Sequence, residues 1–299
     1  MADTTVTARD PQPAQAIADA ERAARHSGVR ISELTDVAAM DSAYALVDRI
    51  WRPDPSNPPI TAELLRVFAK AGNYVAGAYD GPVLVGVTVG FFAAPAGAGL
   101  HSHVTGVAGS ARRRSVGYAL KLHQRAWALT RGITTITWTF DPLVRRNAYF
   151  NLAKLGAVAS EYLPDFYGPM QDSINGGDET DRLLTRWELA SPEAVSACGG
   201  RPRTVDPTAL RAAGATESLA VDPSGEPRTA PGRAGPVSLA AVPPDIEALR
   251  AEHPELARRW RRALREVLGD ALGSGARVTG FDREGWYVID RSGSGGSTR

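Results

Sequence analysis

The sequence is poor in several features that would assign a class at once. It has one cysteine, Cys198, so an intrachain disulfide or a metal site built from several cysteines is excluded. The formal net charge is only +1, which argues against a chain built as a whole to bind nucleic acid. No apolar run reaches the roughly 18 residues of a membrane span, and the first residues have no apolar signal core. We therefore expect a cytoplasmic protein with no membrane partner.

Lysine is also scarce, because only Lys70, Lys121 and Lys154 occur among 34 basic residues. We attribute this bias to genome composition. The length of 299 residues allows one large domain or two small ones. Composition and patterning predict four segments. These are a flexible N-terminal segment at 1–28, in which "AQAIADAERAARH" could form a short exposed helix, an α/β domain at 29–190, a linker rich in proline and glycine at 191–236, and a β-α-β-β extension at 237–299.

Within the α/β domain, the patterning predicts a strand, two helices, a hairpin and another strand, "LHSHVTGV", before the stretch "ARRRSVGYAL". In the helix that begins near Gly117, small and aliphatic residues form one apolar face. The pattern places Lys121, Gln124, Arg125 and Arg131 on the opposite side of the helix.

The loop between Val107 and Gly117 carries three consecutive arginines, Arg112 to Arg114. A helix N-terminus has unsatisfied N–H groups and a partial positive charge, and the arginines add full charges. This arrangement favours a pyrophosphate ligand, and Gly117 would let the backbone approach it closely. An arginine run at a solvated turn is the alternative interpretation of the same residues.

The stretch "VAGSARRRSVGYAL" resembles motif A of the GNAT (general-control-related N-acetyltransferase) superfamily, with the match Arg112-x-x-Ser115-x-Gly117. The resemblance covers roughly residues 29–190 and is similar to a large bacterial subgroup with a C-terminal extension. It implies an α/β (α+β) fold with a mixed, mostly antiparallel sheet flanked by helices. It also implies acetyl-CoA as co-substrate, held by the loop amides and by the end of the preceding strand. The cofactor-binding residues that it implies are Gly106, Val107, Arg112, Arg113, Arg114, Ser115, Val116, Gly117, Tyr118 and Asn147.

Two departures from the family pattern affect the site. Arg113 and Ser115 stand where the family often has glycine, so the loop must form without glycine's freedom in φ. Leu152 occupies the position of the family's usual tyrosine acid. Tyr149, one helical turn earlier, is our candidate acid, although it could equally be a packed aromatic residue. Tyr162 and Tyr167 are the other nearby phenols.

Acyl transfer to an amine also needs a base, and histidine suits this role at neutral pH. His101 and His103 are two residues apart on the predicted strand, and His103 is closer to Val107, so we expect His103 to be the base. A structural, hydrogen-bonded histidine is the alternative. A His-x-His pair could also bind zinc, but the spacing supplies no third ligand, and we predict no metal.

The sequence thus predicts an acetyl-CoA-dependent N-acetyltransferase that acts on a small-molecule amine by direct attack on the thioester. The alternatives are a protein acetyltransferase, a non-catalytic acyl-CoA-binding protein with a regulatory or structural role, and an interaction protein without a CoA site. The helical part of the extension has six arginines and six acidic residues between Asp245 and Asp270, so no nucleic-acid partner is expected. The extension could cover the acceptor site, pack across the sheet or form a homodimer.

Overall fold

The structure is a computed structural model, and it describes residues 11–54, 58–95, 97, 99–168, 178–230 and 235–292. Within these residues the strands are β1 Arg30–Glu33, β2 Tyr74–Asp80, β3 Val83–Phe92, β4 Leu100–Val107, β5 Thr135–Phe140, β6 Val158–Leu163, β7 Arg182–Glu188, β8 Thr216–Val221, β9 Pro227–Thr229, β10 Val237–Ala241, β11 Arg277–Phe281 and β12 Trp286–Asp290.

The α-helices are α1 Pro11–Ser27, α2 Val37–Trp51, α3 Ala62–Lys70, α4 Val116–Leu129, α5 Arg145–Ala148, α6 Pro192–Cys198, α7 Pro207–Ala212, α8 Ile246–Glu252 and α9 Pro254–Gly273. A 3₁₀ turn, Gly109–Ala111, lies between β4 and α4, and α5 continues into a π-helical segment, Tyr149–Lys154.

All the described strands belong to one sheet, in the order β1-β2-β3-β4-β5-β7-β6-β11-β12-β10-β8-β9. Only two neighbouring pairs are parallel, β4 with β5 and β8 with β10. The other pairs are antiparallel. The predicted fold class, a mixed and mostly antiparallel sheet flanked by helices, is confirmed.

Helices cover both faces of the first strands. On one face, α2 and α3 pack Met40 and Leu65 against Val87 and Val104 of the sheet. On the other face, α4 packs against β2 to β4, and α1 lies across α4. The two helical layers therefore enclose β4, the strand that ends at the arginine loop.

The predicted flexible segment 1–28 is wrong for the residues that the structure describes. Helix α1 buries Ala16, Ala20 and Ala23 in the core that it shares with α4. Asp19 of α1 is also buried, and its carboxylate lies 3.6 Å from a guanidinium nitrogen of Arg125 in α4. Residues 1–10 lie outside the described part of the chain.

The predicted linker at 191–236 is also wrong, because this segment contains α6, α7, β8 and β9. Strand β8 pairs with β10, and its Leu219 is fully buried. Residues 231–234 of the segment lie outside the described ranges. From Val237 onwards, the structure has a strand, two helices that divide at Pro254, and a two-stranded hairpin.

The C-terminal elements share one hydrophobic core with the α/β domain. Phe140, Leu152 and Leu183 from the first part pack in the same cluster as Trp260 and Tyr287 from the last part. The sheet is also continuous, although β6 and β11 join at a single register pair, Val278 with Ala159. These elements are therefore packed as an integral part of the fold.

Candidate active site

A gap between β4 and β5 defines the site. The two strands pair only at Leu100 with Ile136 and at His101 with Thr137. Beyond this point β4 continues to Val107, paired with β3 alone. The N–H and C=O groups on its other edge therefore have no strand partner there, and such an edge can pair with an extended ligand.

The gap opens into a cavity of about 550 Å³. Its lining combines β4, the start of α4, the end of β5, the helix α5 with its π-helical continuation, and part of α8. The polar and aromatic lining residues are Trp51, Ser102, His103, Thr105, Lys121, Trp138, Thr139, Phe140, Asp141, Arg146, Asn147, Phe150, Asn151, Tyr167, Arg182 and Glu247.

A β-bulge lies in β4 beside the gap. Val104 pairs with Val89 and Ser102 pairs with Gly90, so the intervening His103 has no partner on β3. The extra residue reverses the faces of the strand. Ser102 therefore points to α4, whereas Val104 points into the core beneath α2 and α3.

Two residues of the arginine loop have the left-handed backbone conformation that is usual for glycine, although neither is glycine. Arg113 has φ 66° and Ser115 has φ 63°. Each such residue costs roughly 1–2 kcal/mol relative to a right-handed one. Within the described residues, the backbone N–H groups of Arg113, Arg114, Ser115 and Gly117 donate no backbone hydrogen bond. Successive free amides at a helix N-terminus form a concave anion-binding site.

The three arginines of the loop differ in their surroundings. Arg112 and Arg113 are exposed and have no ion pair or side-chain hydrogen bond within the described residues. Arg114 instead turns away from the loop. Its guanidinium donates to the Asp80 carboxylate at 2.6 Å and to two carbonyl oxygens at the end of α1 at 3.2 Å. Arg112 and Arg113 are thus the two free to meet an anionic ligand.

The other residues that the resemblance implied divide into two groups. Val107, Gly117 and Asn147 line the cavity, and Asn147 lies within α5 rather than at its N-cap. Gly106, Val116 and Tyr118 do not line it. A Cβ at Gly106 would lie 2.5 Å from the Trp51 ring, Val116 is buried in the core, and the Tyr118 hydroxyl donates to the carbonyl oxygen of Ala197. The structure gives these three a packing role.

The two histidines of β4 lie on the same side of the sheet, against the ring of Phe91. His101 is half-buried, its Nδ1 is 3.1 Å from the Thr137 hydroxyl, and burial lowers its pKa to about 4. His103 is exposed and lines the cavity, and its Nε2 lies 3.0 Å from the carbonyl oxygen of Pro59. A carbonyl oxygen only accepts, so Nε2 carries the proton and Nδ1 of His103 is the basic nitrogen.

The structure does not bring the candidate acid Tyr149 to the cavity. Its hydroxyl accepts a hydrogen bond from Nε of Arg283 at 2.9 Å, in a separate depression. Leu152, at the family's tyrosine position, is buried in the core. Tyr162 donates to the buried Asp181, whereas Tyr167 lines the cavity and its hydroxyl is 3.0 Å from that of Thr139.

Lys121 is the lining residue that the sequence pattern did not place in the site. Of the residues predicted to lie opposite the apolar face of the helix, Lys121, Gln124 and Arg125 are buried, whereas Arg131 is exposed. Helix α4 packs against both α1 and the sheet, so Arg125 turns to α1 and Lys121 turns to β4 and β5. The Nζ of Lys121 donates to the Ser102 hydroxyl at 2.8 Å and lies 4.0 Å from the centroid of the Trp138 ring.

The far wall of the cavity is fixed by ion pairs from the C-terminal helices. Glu247 of α8 accepts two hydrogen bonds from Arg146. The Asp141 carboxylate, at the end of β5, accepts from Arg250 of α8 and Arg261 of α9. All three residues of the second group are buried. The predicted extension therefore supplies part of the cavity wall.

Three other observations concern metal binding, the reactivity of the cysteine and membrane-spanning helices. No cluster of three or more metal-ligating side chains occurs in the part of the chain that the structure describes. Cys198 is buried beside α1, and burial raises the pKa of its thiol to about 12, which leaves it a poor nucleophile. Among the described helices, none combines the length and the apolar character that crossing a membrane requires.

Comparison with known proteins gives similarity at the level of structure. No family model and no curated protein sequence matches the chain. The chain is similar to the ribosomal-protein-S18-alanine N-acetyltransferase from Escherichia coli, with 12% identity, a TM-score of 0.44 and coverage of 55% of this chain and 95% of that one. It is similar to an aminoglycoside 6'-N-acetyltransferase complexed with coenzyme A, with 16% identity, a TM-score of 0.42 and coverage of 54% and 98%.

A third similar structure is the acetyltransferase of the GNAT family from Streptococcus pneumoniae, with 14% identity, a TM-score of 0.44 and coverage of 53% of this chain and 97% of that chain. The GNAT superfamily, which the loop motif resembles, is thus also named among these structures. Because the identities and TM-scores are low, the likeness concerns the fold alone, over about half of the chain.

Proposed function

We propose that this chain is an acetyl-CoA-dependent N-acetyltransferase that acts on a small-molecule amine. One observation carries the proposal. The unpaired edge of β4, which borders the cavity, runs directly into a loop of free amides at the N-terminus of α4, and Gly117, at the start of α4, also lines the cavity.

The chemical groups on this surface indicate which kind of ligand it would bind. The edge from Ser102 to Val107 spans about 16 Å at the usual rise per residue, and it offers main-chain donors and acceptors along that length. The loop that follows offers amides and the exposed Arg112 and Arg113 to an anion. An extended chain with amide groups, attached to a pyrophosphate, satisfies both parts, and coenzyme A has both.

The bulge at His103 would help to position the carbonyl carbon of the thioester. Because His103 has no partner on β3, the main chain of β4 leaves the hydrogen-bonding ladder with β3 at the closed end of the gap between β4 and β5. Main-chain N–H groups beside a thioester carbonyl would stabilise the oxyanion that forms when an amine attacks it. Nδ1 of His103 would accept the proton of the attacking amine, and no covalent acyl-enzyme is required.

The shape of the cavity supports a small acceptor. Tyr167, Arg182 and Glu247 line it on the side away from the loop, and α8 belongs to the C-terminal elements. A cavity of about 550 Å³ lies within the range of small-molecule sites. A protein acceptor would need an open groove along the sheet instead.

The position of Tyr149 favours the non-catalytic alternative as the second candidate, since the hydroxyl of this residue is bound to Arg283 outside the cavity. In that case the chain would bind acyl-CoA as a regulatory or structural ligand.

The two candidates can be separated by combining a binding measurement with a turnover measurement. CoA at saturating concentration should raise the melting temperature of the chain. Acetyl-CoA should then release free thiol in the presence of one or more amines from a panel of amino acids, polyamines and aminosugars. Binding without amine-dependent thiol release would favour the second candidate, and no melting shift with any acyl-CoA would overturn both.

A further inference from the structure

Lys121 is a buried basic residue with no anionic partner among the residues that the structure describes. It is 4% exposed, and its Nζ contacts the Ser102 hydroxyl, the amide oxygen of Gln124 at 3.4 Å and the face of Trp138. Each of these groups is neutral, and each accepts from an N–H. No ion pair to Lys121 exists among the residues that the structure describes.

The surroundings of Lys121 allow its charge to change near neutral pH. Burial is the cause that lowers its pKa to about 7. The titratable group that interacts electrostatically with it is His101 of β4, on the other side of the sheet. From β5 it meets the non-titrating Trp138, whose indole N–H donates to Asn151 of the π-helical segment. On its own helix, Arg125 turns to Asp19 of α1.

The identity of the residue adds a separate argument. Thirty-one of the 34 basic residues are arginine, yet Lys121, a buried basic residue of the cavity wall, is one of three lysines. Arginine holds a carboxylate or phosphate better than lysine does, but it does not release a proton in a protein. A lysine at this position therefore suits a group that must exchange a proton.

The position of Lys121 also complements that of His103. Lys121 reaches the gap from the α4 side of the sheet, whereas His103 lies on the side of α3, against Phe91 and Pro59. Both line the same cavity where β4 and β5 separate. One group could take a proton from the attacking amine while the other delivers a proton to the leaving group.

Resting on the function proposed above, we propose that Lys121 is the catalytic acid that protonates the departing thiolate of CoA. As the amine nitrogen bonds to the acyl carbon, the carbon–sulfur bond breaks and its electron pair passes to sulfur. An N–H of the Lys121 ammonium gives its proton to that sulfur, and the side chain becomes a neutral amine. The proton from the attacking nitrogen leaves through His103, and solvent restores both groups.

A binding experiment tests the contact without turnover. Calorimetry would compare CoA with desulfo-CoA, which lacks the sulfur, on the wild type and on Lys121→Met, Lys121→Arg and Lys70→Met. Lys70 is exposed on α3 and serves as the matched control. We expect the wild type, Lys70→Met and Lys121→Arg to bind CoA more tightly than desulfo-CoA. Lys121→Met should show no such preference.

A kinetic experiment separates proton donation from charge. Lys121→Met and Lys121→Arg should both lower kcat by about 10²-fold, since methionine has no acidic proton and arginine keeps the charge but does not release its protons in a protein. The acid must be protonated, so the wild-type rate should fall as pH rises past about 7, and this falling limb should be lost in both variants. Lys121→Gln, which can still bond to Ser102, provides a second neutral variant if Lys121→Met melts early.

Three results would overturn the inference while the proposed function stands. These are an unchanged kcat in Lys121→Met, an arginine variant as active as the wild type, or equal preference for CoA over desulfo-CoA in all variants. If the wild type binds no acyl-CoA at all, the proposed function itself fails. The binding of CoA by the wild type therefore distinguishes the two failures.

Discussion

Arg261 and Asp141 form a two-pronged ion pair, in which Nη1 and Nη2 of the arginine donate to Oδ1 and Oδ2 of the carboxylate, each at 2.9 Å. Arg250 also donates to Asp141, and Asp178 accepts from both arginines. All four side chains are buried. The cluster joins the end of β5, at the cavity, to α8 and α9.

Replacing Asp141 with asparagine should strongly destabilise the protein. Two arginines would then share the single charge of Asp178 in a buried setting, and breaking a buried pair costs about 3–5 kcal/mol. Denaturant unfolding of Asp141→Asn would measure the loss. Asp41→Asn is the control, because the Asp41–Arg66 pair is half-exposed and should contribute less than about 1 kcal/mol. Equal losses in both variants would contradict the stabilising role of the cluster.

The same cluster predicts sensitivity to acid. Burial by itself would raise the pKa of the Asp141 carboxyl, but the charges and hydrogen bonds of Arg261 and Arg250 outweigh burial and hold that pKa well below its usual range. A carboxyl with a depressed pKa stabilises the fold above its unfolded pKa, and this contribution is lost as pH falls through the folded value. The free energy of unfolding of the wild type should therefore fall as the pH is lowered into the acid range. The free energy of unfolding of Asp141→Asn should fall less steeply over the same pH range, because the variant lacks this carboxyl.

The left-handed conformation at Ser115 should limit which residues the loop accepts. Ser115→Gly keeps φ near 63° without a Cβ, so we expect it to preserve or improve CoA binding. Ser115→Val introduces a β-branched residue that disfavours this conformation, and it should weaken binding by about 1–2 kcal/mol or more. Calorimetry with CoA would compare the pair. Equal affinities would mean that the loop does not hold the ligand in this conformation.

The arginines of the loop should separate into binding and structural residues. Arg112→Ala should weaken CoA binding by about 1–3 kcal/mol if its guanidinium bonds to a phosphate, and added salt should reduce the wild-type affinity. Arg114→Ala should instead leave the affinity nearly unchanged, because Arg114 is bound to Asp80. Its cost should appear as a loss of stability below about 1 kcal/mol, since the pair is partly exposed. The reverse order of affinities would contradict the assignment.

His103→Ala should lower kcat/KM by about 10²–10⁴-fold with little change in CoA affinity, as loss of a general base does. Steady-state rates and calorimetry with CoA would measure the two quantities. His101→Ala should have a smaller effect, because His101 is bound to Thr137 and does not line the cavity. If the amine arrives already neutral, the His103 variant will keep its activity, which would contradict the base assignment.

The phenols near the site should respond differently to removal of their hydroxyls. Tyr149→Phe should leave kcat within about twofold of the wild type, since the Tyr149 hydroxyl is bound to Arg283 in a separate depression. Tyr167→Phe is the comparison, because Tyr167 lines the cavity. Steady-state rates at several pH values would compare the two. A loss of the falling limb in Tyr167→Phe, but not in Lys121→Met, would assign the acid to Tyr167.

The sequence predicted the strand, loop and helix that carry the arginines, because hydrophobic periodicity and a polar loop are local features. It could not predict that Arg114 would turn to Asp80, since that contact joins residues far apart in the chain. The left-handed conformations at Arg113 and Ser115 also depend on the fold around the loop. Such strain is tolerated only where the surroundings fix the backbone.

Lys121 was misplaced because the covering of α4 could not be inferred from α4 itself. An amphipathic helix normally turns its polar face to water, but here Lys121 of that face meets the gap between β4 and β5 and Arg125 meets α1. Helix α1 covers α4, and its small alanines gave too weak a pattern to predict docking. The scarcity of lysine was the one signal in the sequence that could have drawn attention to position 121.

The ordered structure at 191–236 had local signals that composition obscured. Ser191 and Asp206 each cap a helix whose first residue is proline, and this pairing is a recognised start of a helix. Strand β8 had no such signal, because its partner, β10, is supplied by residues further along the chain. A count of proline and glycine therefore predicted a linker where the fold has two helices and two strands.

The last of the described strands, β12, lies between β11 and β10 in the interior of the sheet rather than at its edge. Residues 286–290 follow every other described strand in the sequence, yet β10 has no antiparallel neighbour until they are in place. Until then, one side of β10 and the apolar surface around it have no partner. Contacts over such sequence distances form slowly, so the newly made protein will depend on protection from aggregation in that interval.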